Sequence, residues 1–211
     1  MDKTGIANLA LSNLGEARIQ SLTEDSSRAR ACSARIDGVI ETILRMHVWN
    51  SALERQQLVS GETPIFGWNY SYQLPADCIK VVEVEPVSKF QVEKKYILSN
   101  ETSLYLLYVA TPTDINNLDS LLAEAIAMKL AVEVAETLTS KEGLKNEMMQ
   151  KFVLALQEAR GANSKDRTPD HRERSSWLDA KKGDILLLIE PLIPLQLVMK
   201  LICKHGRLNE I

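Results

Sequence analysis

The chain is short of the residues that usually carry chemistry or covalent bracing. It has three cysteines, Cys32, Cys78 and Cys203. Their number is odd and they lie far apart, so neither a disulfide framework nor a zinc-ligand spacing follows, and a reducing compartment fits. It also has three histidines, His47, His171 and His205, none with a metal-ligating neighbour three or four residues on. His47 falls on the apolar edge of an expected helix, where a structural role outweighs ligation. No glycine-rich phosphate loop is present, and Ser12 and Ser51 lack the context of a nucleophile elbow. Glu83 and Glu85 share one face of an expected strand. That spacing could serve paired acid–base work, but it fits solvated strand residues better. Cys32 falls in a core stripe and is expected to be inert. The expectation is therefore no enzyme, no cofactor and no metal.

Charge of one sign is lacking too. The net charge is −3, which gives no general attraction to nucleic acid or to an anionic membrane. Arg28, Arg30 and Arg35 form a small basic cluster, with Arg28 and Arg35 nearly on one helix face and Arg30 offset. Glu24, Asp25 and Asp37 offset it, and no aromatics interleave as in a single-strand platform, so a solvated or ion-pairing face is expected. The start, Met1-Asp2-Lys3-Thr4, lacks a basic-then-apolar signal, and no export is expected.

What is present is a chain of 211 residues, enough for one domain or one with an inserted lobe. Its apolar share of 45% is enough for a real core. Thr4 can cap a short helix carrying Ile6, Leu9 and Leu14, with Gly15 at its end. A turn follows through Ile19 to Glu24. A longer helix is expected from Asp25 or Ser26, because Ala29, Cys32, Ile36, Ile40, Ile43, Leu44 and His47 recur at helical spacing.

The middle, from Thr63 to Thr111, is richer in β-branched and aromatic residues broken by turn formers. Strands are expected near Tyr70–Gln73, Ile79–Glu85, Gln91–Leu98 and Leu104–Val109, with a turn at Ser99-Asn100 between the last two. Pro75 and Pro86 belong at strand ends, since proline cannot donate to a ladder. Val82 and Val84 on one face, Glu83 and Glu85 on the other, indicate a sheet wet on one side. Helix returns after Pro112, capped by Asp114, Asn117 or Asp119. It carries Leu118, Leu121, Leu122, Ala125, Ile126, Val132, Ala135 and Leu138. Its small residues Ala123, Ala125, Ala127 and Ala131 allow close approach. A fourth helix over Lys141–Ala162 carries Leu144, Met148, Phe152, Ala155, Leu156 and Ala159, with Gly143 weakening its start.

The fold class expected is thus α+β, mainly a helical bundle with an inserted antiparallel β-rich lobe. N-terminal helices take 1–62, the β-rich insertion 63–112, C-terminal helices 113–162, and an extended arm with an apolar tail 163–211. The polar, charge-rich stretch Gly161–Ser176 reads as an exposed arm ordered by a partner. Its candidate partner-binding residues are Arg167, Arg172, Arg174, Trp177 and Leu178. Trp177 is either a docking peg or a residue that folds back on its own domain. The run Ile185 to Cys203 approaches a membrane span in length, but Glu190, Pro191, Pro194 and Lys200 interrupt it, and two prolines break the helix a bilayer demands. A buried or oligomer-facing tail is preferred. A translated frameshift that replaced the ordinary ending is the alternative, because composition changes abruptly after Lys181.

Several motifs in order carry a family resemblance. Ala10-Leu11-Ser12-Asn13-Leu14-Gly15-Glu16, then Ile19 and Ser21-Leu22-Thr23-Glu24-Asp25-Ser26, resemble the start of tail tubular protein A and related phage head–tail adaptors. A long helix then ends close to a tryptophan, here Trp49. The match continues at Tyr72-Gln73-Leu74-Pro75-Ala76-Asp77-Cys78, Tyr96-Ile97-Leu98-Ser99 and Leu107-Tyr108-Val109. It resumes at Ala123-Glu124-Ala125-Ile126-Ala127 and Leu130-Ala131-Val132-Glu133-Val134-Ala135, and closes near Glu158-Ala159-Arg160-Gly161-Ala162-Asn163. It spans roughly residues 5 to 180. Each motif alone is mostly core and turn, so specificity lies in their order and spacing.

The resemblance implies a structural virion protein of a short-tailed phage or prophage. Copies form a ring, commonly of twelve, below the portal protein and above the tail nozzle protein. DNA passes through the lumen without specific binding, no membrane is involved, and the protein sits in the host cytoplasm until assembly. No catalytic residues come with the family. The Gly161–Trp177 arm matches in position an extension that reaches toward the portal. The β-lobe is expected to meet a neighbouring subunit or the nozzle. A non-enzymatic interaction or assembly-chaperone module is the alternative.

Overall fold

The computed structural model describes residues 1–166, apart from positions 140 and 142. They belong to one unit, Met1–Arg167; a second unit, Thr168–Ile211, lies outside the described residues. The fold is α+β, with four helices and two antiparallel three-stranded sheets among the described residues.

Helix α1 (Lys3–Leu14) is capped by Asp2, not Thr4: the Asp2 carboxylate accepts from the Gly5 N–H at 2.7 Å, and Thr4 falls inside the first turn. Gly15 ends it at φ 75°, the left-handed conformation that suits a residue without Cβ. The following turn is held by Asn8, whose side chain donates to the Ile19 carbonyl (3.0 Å) and accepts from the Ile19 N–H (2.8 Å). Helix α2 (Ser27–Met46) is capped by Ser26, one of the two expected starts, which accepts from the Ala29 N–H. Its buried residues are the expected stripe from Ala29 to Leu44 plus Val39, while His47, expected in that stripe, lies past the helix end and is only partly buried.

Helix α3 (Ser120–Leu138) is capped by Asp119, which accepts from the N–H groups of Leu121 and Leu122. It packs on α1 and α2 and on α4 (Leu144–Lys165). With helices on several sides, α3 buries eleven residues spread around its circumference. Helix α4 starts after Gly143, which sits at φ 83°, and it runs past the expected end at Ala162. Residues Gly161–Lys165, expected in the arm, are therefore helical, because Asn163 is tied to the protein body.

The β-lobe begins earlier than expected. Strand β1 (Leu53–Leu58) lies inside the stretch assigned to N-terminal helices, and it pairs with β6 (Leu104–Ala110) from Leu53↔Val109 to Leu58↔Leu104. Leu-Glu-Arg-Gln-Gln-Leu holds no β-branched residue, so pairing with a distant strand, not propensity, makes it β. Strand β2 (Tyr70–Gln73) lies where expected, and β3 (Cys78–Glu85) is one residue longer at its start. The expected strand Gln91–Leu98 is instead a hairpin of β4 (Phe90–Glu93) and β5 (Tyr96–Ser99). Lys94 turns the chain at φ 53°, a conformation that lysine does not advertise. Ser99-Asn100 does end a strand, yet β5 and β6 belong to different sheets.

One sheet is ordered β1-β6-β3 and the other β2-β5-β4. They share a small core of Leu58, Tyr72, Val84, Ile97, Leu104, Leu106, Tyr108 and Ala110. A register shift between Val81 and Glu83 leaves Val82 as an extra residue. Val82 then packs on the bundle core while Val81 and Val84 pack on the lobe core, so Val82 and Val84 do not share a face as expected. Glu83 and Glu85 do lie exposed, opposite Leu107 and Tyr105.

Bundle and lobe meet at two places. Ile79 and Val109 join the bundle core, and Arg45 at the end of α2 donates to the Ile79 carbonyl at 2.7 Å. The link 47–50 is the second. Trp49 is buried and its indole N–H donates to the Ile43 carbonyl at 2.9 Å. Asn163 of α4 accepts from the Asn50 N–H (2.8 Å) and donates to the Val48 carbonyl (2.9 Å), while its own carbonyl accepts from the Asn50 side chain (2.9 Å). Replacing Asn163 with alanine strands the Asn50 N–H and the Val48 carbonyl. Urea unfolding should show a loss of about 1–3 kcal/mol. An unchanged unfolding midpoint would show that the helix end is not held by these bonds.

Candidate interaction surface

The residues with chemical potential are dispersed. His47 closes α2, with its ring edge-on to Trp49 (centroids 4.9 Å apart) and its Nε2 3.3 Å from the Asn163 amide nitrogen; His171 and His205 lie outside the described residues. Cys32 is buried in the bundle core, and burial pushes its thiol pKa up. Burial does the same at Cys78, beside Asp77. Ser12 and Ser51 are exposed helix and turn residues. Among the described residues, no group of three or more His, Cys, Asp and Glu could hold a metal ion, and no helix is long and apolar enough to cross a membrane.

The basic cluster on α2 is matched by carboxylates. Arg28 lies 4.0 Å from Glu16, Arg30 pairs with Asp25, and Arg35 lies 3.8 Å from Glu133. Glu133 also accepts from Lys129 at 2.7 Å. That hydrogen bond holds the Glu133 carboxyl below its usual range. Partial burial opposes it, and the charges of Lys129 and Arg35 reinforce it. The cluster is thus an ion-pairing face: Arg28 and Arg30 tie α2 to the connection from α1, and Arg35 ties it to α3. Tyr108 is the most perturbed titratable group: it is buried, with its hydroxyl 3.3 Å from Glu54 and 3.5 Å from Asp77. Burial, then the charges of Asp77 and Glu54, push its pKa far up. The phenol stays a neutral donor that bridges β6 to β1 and to the turn before β3.

The β-lobe carries the conspicuous surface. Between β1 and β2, the loop 59–68 projects Ile65, fully exposed, and Phe66, 86% exposed. Its base is fixed. Ser60 bridges to Tyr72, the Gly61 N–H donates to the Ser71 carbonyl at 2.7 Å, and the Ser71 hydroxyl donates to the Glu62 carbonyl. Gly67 turns the tip at φ 85°, where a side chain would be strained. Beside the loop, an open groove of about 1200 Å³ runs along the outer face of β4 and β5, with Trp68, Leu74, Gln91 and Tyr96 in its wall. Apolar side chains held out on an anchored loop point to contact with another macromolecule.

The candidates Arg167, Arg172, Arg174, Trp177 and Leu178 lie outside the described residues, as does most of the arm. The sequence reading missed Ile65, Phe66, Phe90 and Val92. The signal available was Pro64-Ile65-Phe66-Gly67-Trp68, apolar residues between two turn formers. Compared with protein-family models and with curated proteins, the chain finds no match.

The Glu133 arrangement sets a pH dependence. Its folded pKa is lowered, so its stabilisation is present above the unfolded value near 4.5 and is lost as pH falls through the folded value. Glu133→Gln should melt below the parent protein at pH 7, and the gap should close as pH falls below the unfolded value and through the lowered folded one. The partly solvated pair limits the effect to about 1 kcal/mol. A gap that widened in acid would reverse the assigned sign.

Proposed function

We propose that this protein is the head-to-tail adaptor of a short-tailed phage or prophage: a non-enzymatic subunit that forms a ring between portal and tail nozzle. The observation that carries the reading is where the motifs of the resemblance fall. Leu14-Gly15 is the left-handed end of α1, Ser26 the cap of α2, and Trp49 and Asn163 both belong to the joint between helices and β-lobe, Trp49 on the Ile43 carbonyl and Asn163 on Val48 and Asn50. Val48 and Asn50 flank Trp49, so these motif residues sit where one helix or lobe is set against the next, as order-and-spacing motifs should if they encode one architecture.

The mechanism is assembly. A head-to-tail interface uses two different patches per copy, and it closes when the rotation per copy divides the circle. The bundle is the rigid body that fixes that rotation, and the exposed β-lobe makes contacts. A duplex in transit needs a lumen that does not hold it. A chain of net charge −3 in which Arg28, Arg30 and Arg35 of α2 face carboxylates lacks a dense basic stripe on that helix, which suits weak, non-adhesive contact with phosphate. The protein resides in the host cytoplasm before assembly and in the virion tail after it.

Negative-stain imaging and native mass measurement of the protein mixed with portal protein test the reading. Rings on the portal, commonly of twelve copies, are expected. A chain that stays monomeric and ignores the portal would favour an assembly-chaperone or other interaction module instead.

A further inference from the structure

Sheet β2-β5-β4 is incomplete on one side. Along one row of its inner face, Tyr72 and Ile97 are fully buried, but their neighbour Val92 on β4 is 44% exposed. In the next row Ser99 is buried, yet Phe90 opposite it is 41% exposed. The lobe core therefore runs out to solvent at β4. Strand β4 pairs with β5 alone among the described strands, which leaves a free row of backbone donors and acceptors beside those two side chains. Val87, on the approach to β4, is exposed as well.

We propose that the loop 59–68 of one copy seats on this β4 edge of a second copy, with Ile65 and Phe66 covering Phe90 and Val92. The inference rests on the ring reading and names the contact between neighbours. Two features support a second copy as occupant. The loop is an apolar knob on a fixed base, and the edge is an apolar surface lacking a cover, so one chain carries both halves of a contact. The charges are complementary: the edge is flanked by Lys89, Lys94 and Lys95 against Glu93, while the loop carries Glu62 as its charged residue. Knob and edge are different surfaces, so the contact is head-to-tail, the kind that builds a ring.

The test uses full-length protein on the portal, read by native mass measurement. Phe66→Ser breaks the knob, and Phe90→Ser breaks the edge. Each alone should lower ring formation at least about tenfold. Phe66→Ser should melt like the parent, because its side chain touches solvent. An equimolar mixture of the two variants retains one good contact, the intact knob on the intact edge, and should give pairs that do not grow. Assembly of ¹⁵N-labelled with unlabelled parent protein, treated with a carbodiimide, should give mixed-isotope links from Glu62 to Lys89, Lys94 or Lys95. Variants that form rings like the parent, with no such links, would overturn this contact while leaving the ring reading standing. So would a defect confined to nozzle attachment, which would assign the knob to the nozzle. Parent protein that forms no ring on the portal would end the ring reading and this inference together.

Discussion

The structure depends on the enclosure of α3. A helix with apolar residues on nearly every side has to be covered on nearly every side, and α1, α2 and α4 do this. Ala123, Ala125, Ala127, Ala131 and Ala135 are all buried and let neighbouring backbones come close, while Leu122, Ile126 and Leu130 fill the space between them. Each fully buried large side chain contributes about 1.5–3 kcal/mol. The bundle is therefore held mainly by the shape and apolarity of one segment, and the remaining helices need present only one face each to it.

That enclosure leaves the β-lobe free to carry specificity. The lobe has its own core, shared by two small sheets, and it touches the bundle through Leu53, Ile79, Val82 and Val109 in packing, Arg45 on a strand carbonyl, and the link 47–50 gripped by Asn163. The grip joins the end of α4 to the chain entering β1, two places far apart in sequence. A lobe attached in this way keeps a defined position, because strands β1, β3 and β6 each give side chains to the bundle core. Such an attachment suits a subunit whose lobe must reach a set distance from the body.

The polar chemistry fits a scaffold. Arg28, Arg30 and Arg35 of α2 face carboxylates and Arg45 a backbone carbonyl, the Tyr108 phenol lies between Glu54 and Asp77, and burial pushes the Cys32 thiol up. Large apolar side chains left open to solvent gather instead on the β-lobe: Ile65, Phe66, Phe90 and Val92. Exposed apolar surface on an anchored element is costly in solution and favourable in an assembly, which is what the proposed contact uses.

Helices were legible in the sequence because their determinants are local. Ser26 and Asp119 cap at hydrogen-bond range within three residues, Gly15 turns left-handed at the chain position where the apolar stripe ends, and the stripe of α2 follows the helical period. The strands were legible only where β-branched and aromatic residues cluster, as at Tyr70–Gln73 and Leu104–Ala110. Tertiary structure decided the rest. Strand β1 exists because β6, some fifty residues on, offers it a ladder; Lys94 turns because β4 and β5 gain more by pairing than one straight strand would; Val82 bulges so that β3 can serve two cores. The contact surface was hidden for the same reason. Whether Phe90 or Ile65 is covered depends on which elements pack above them, and that is a sum over distant partners which no local pattern contains.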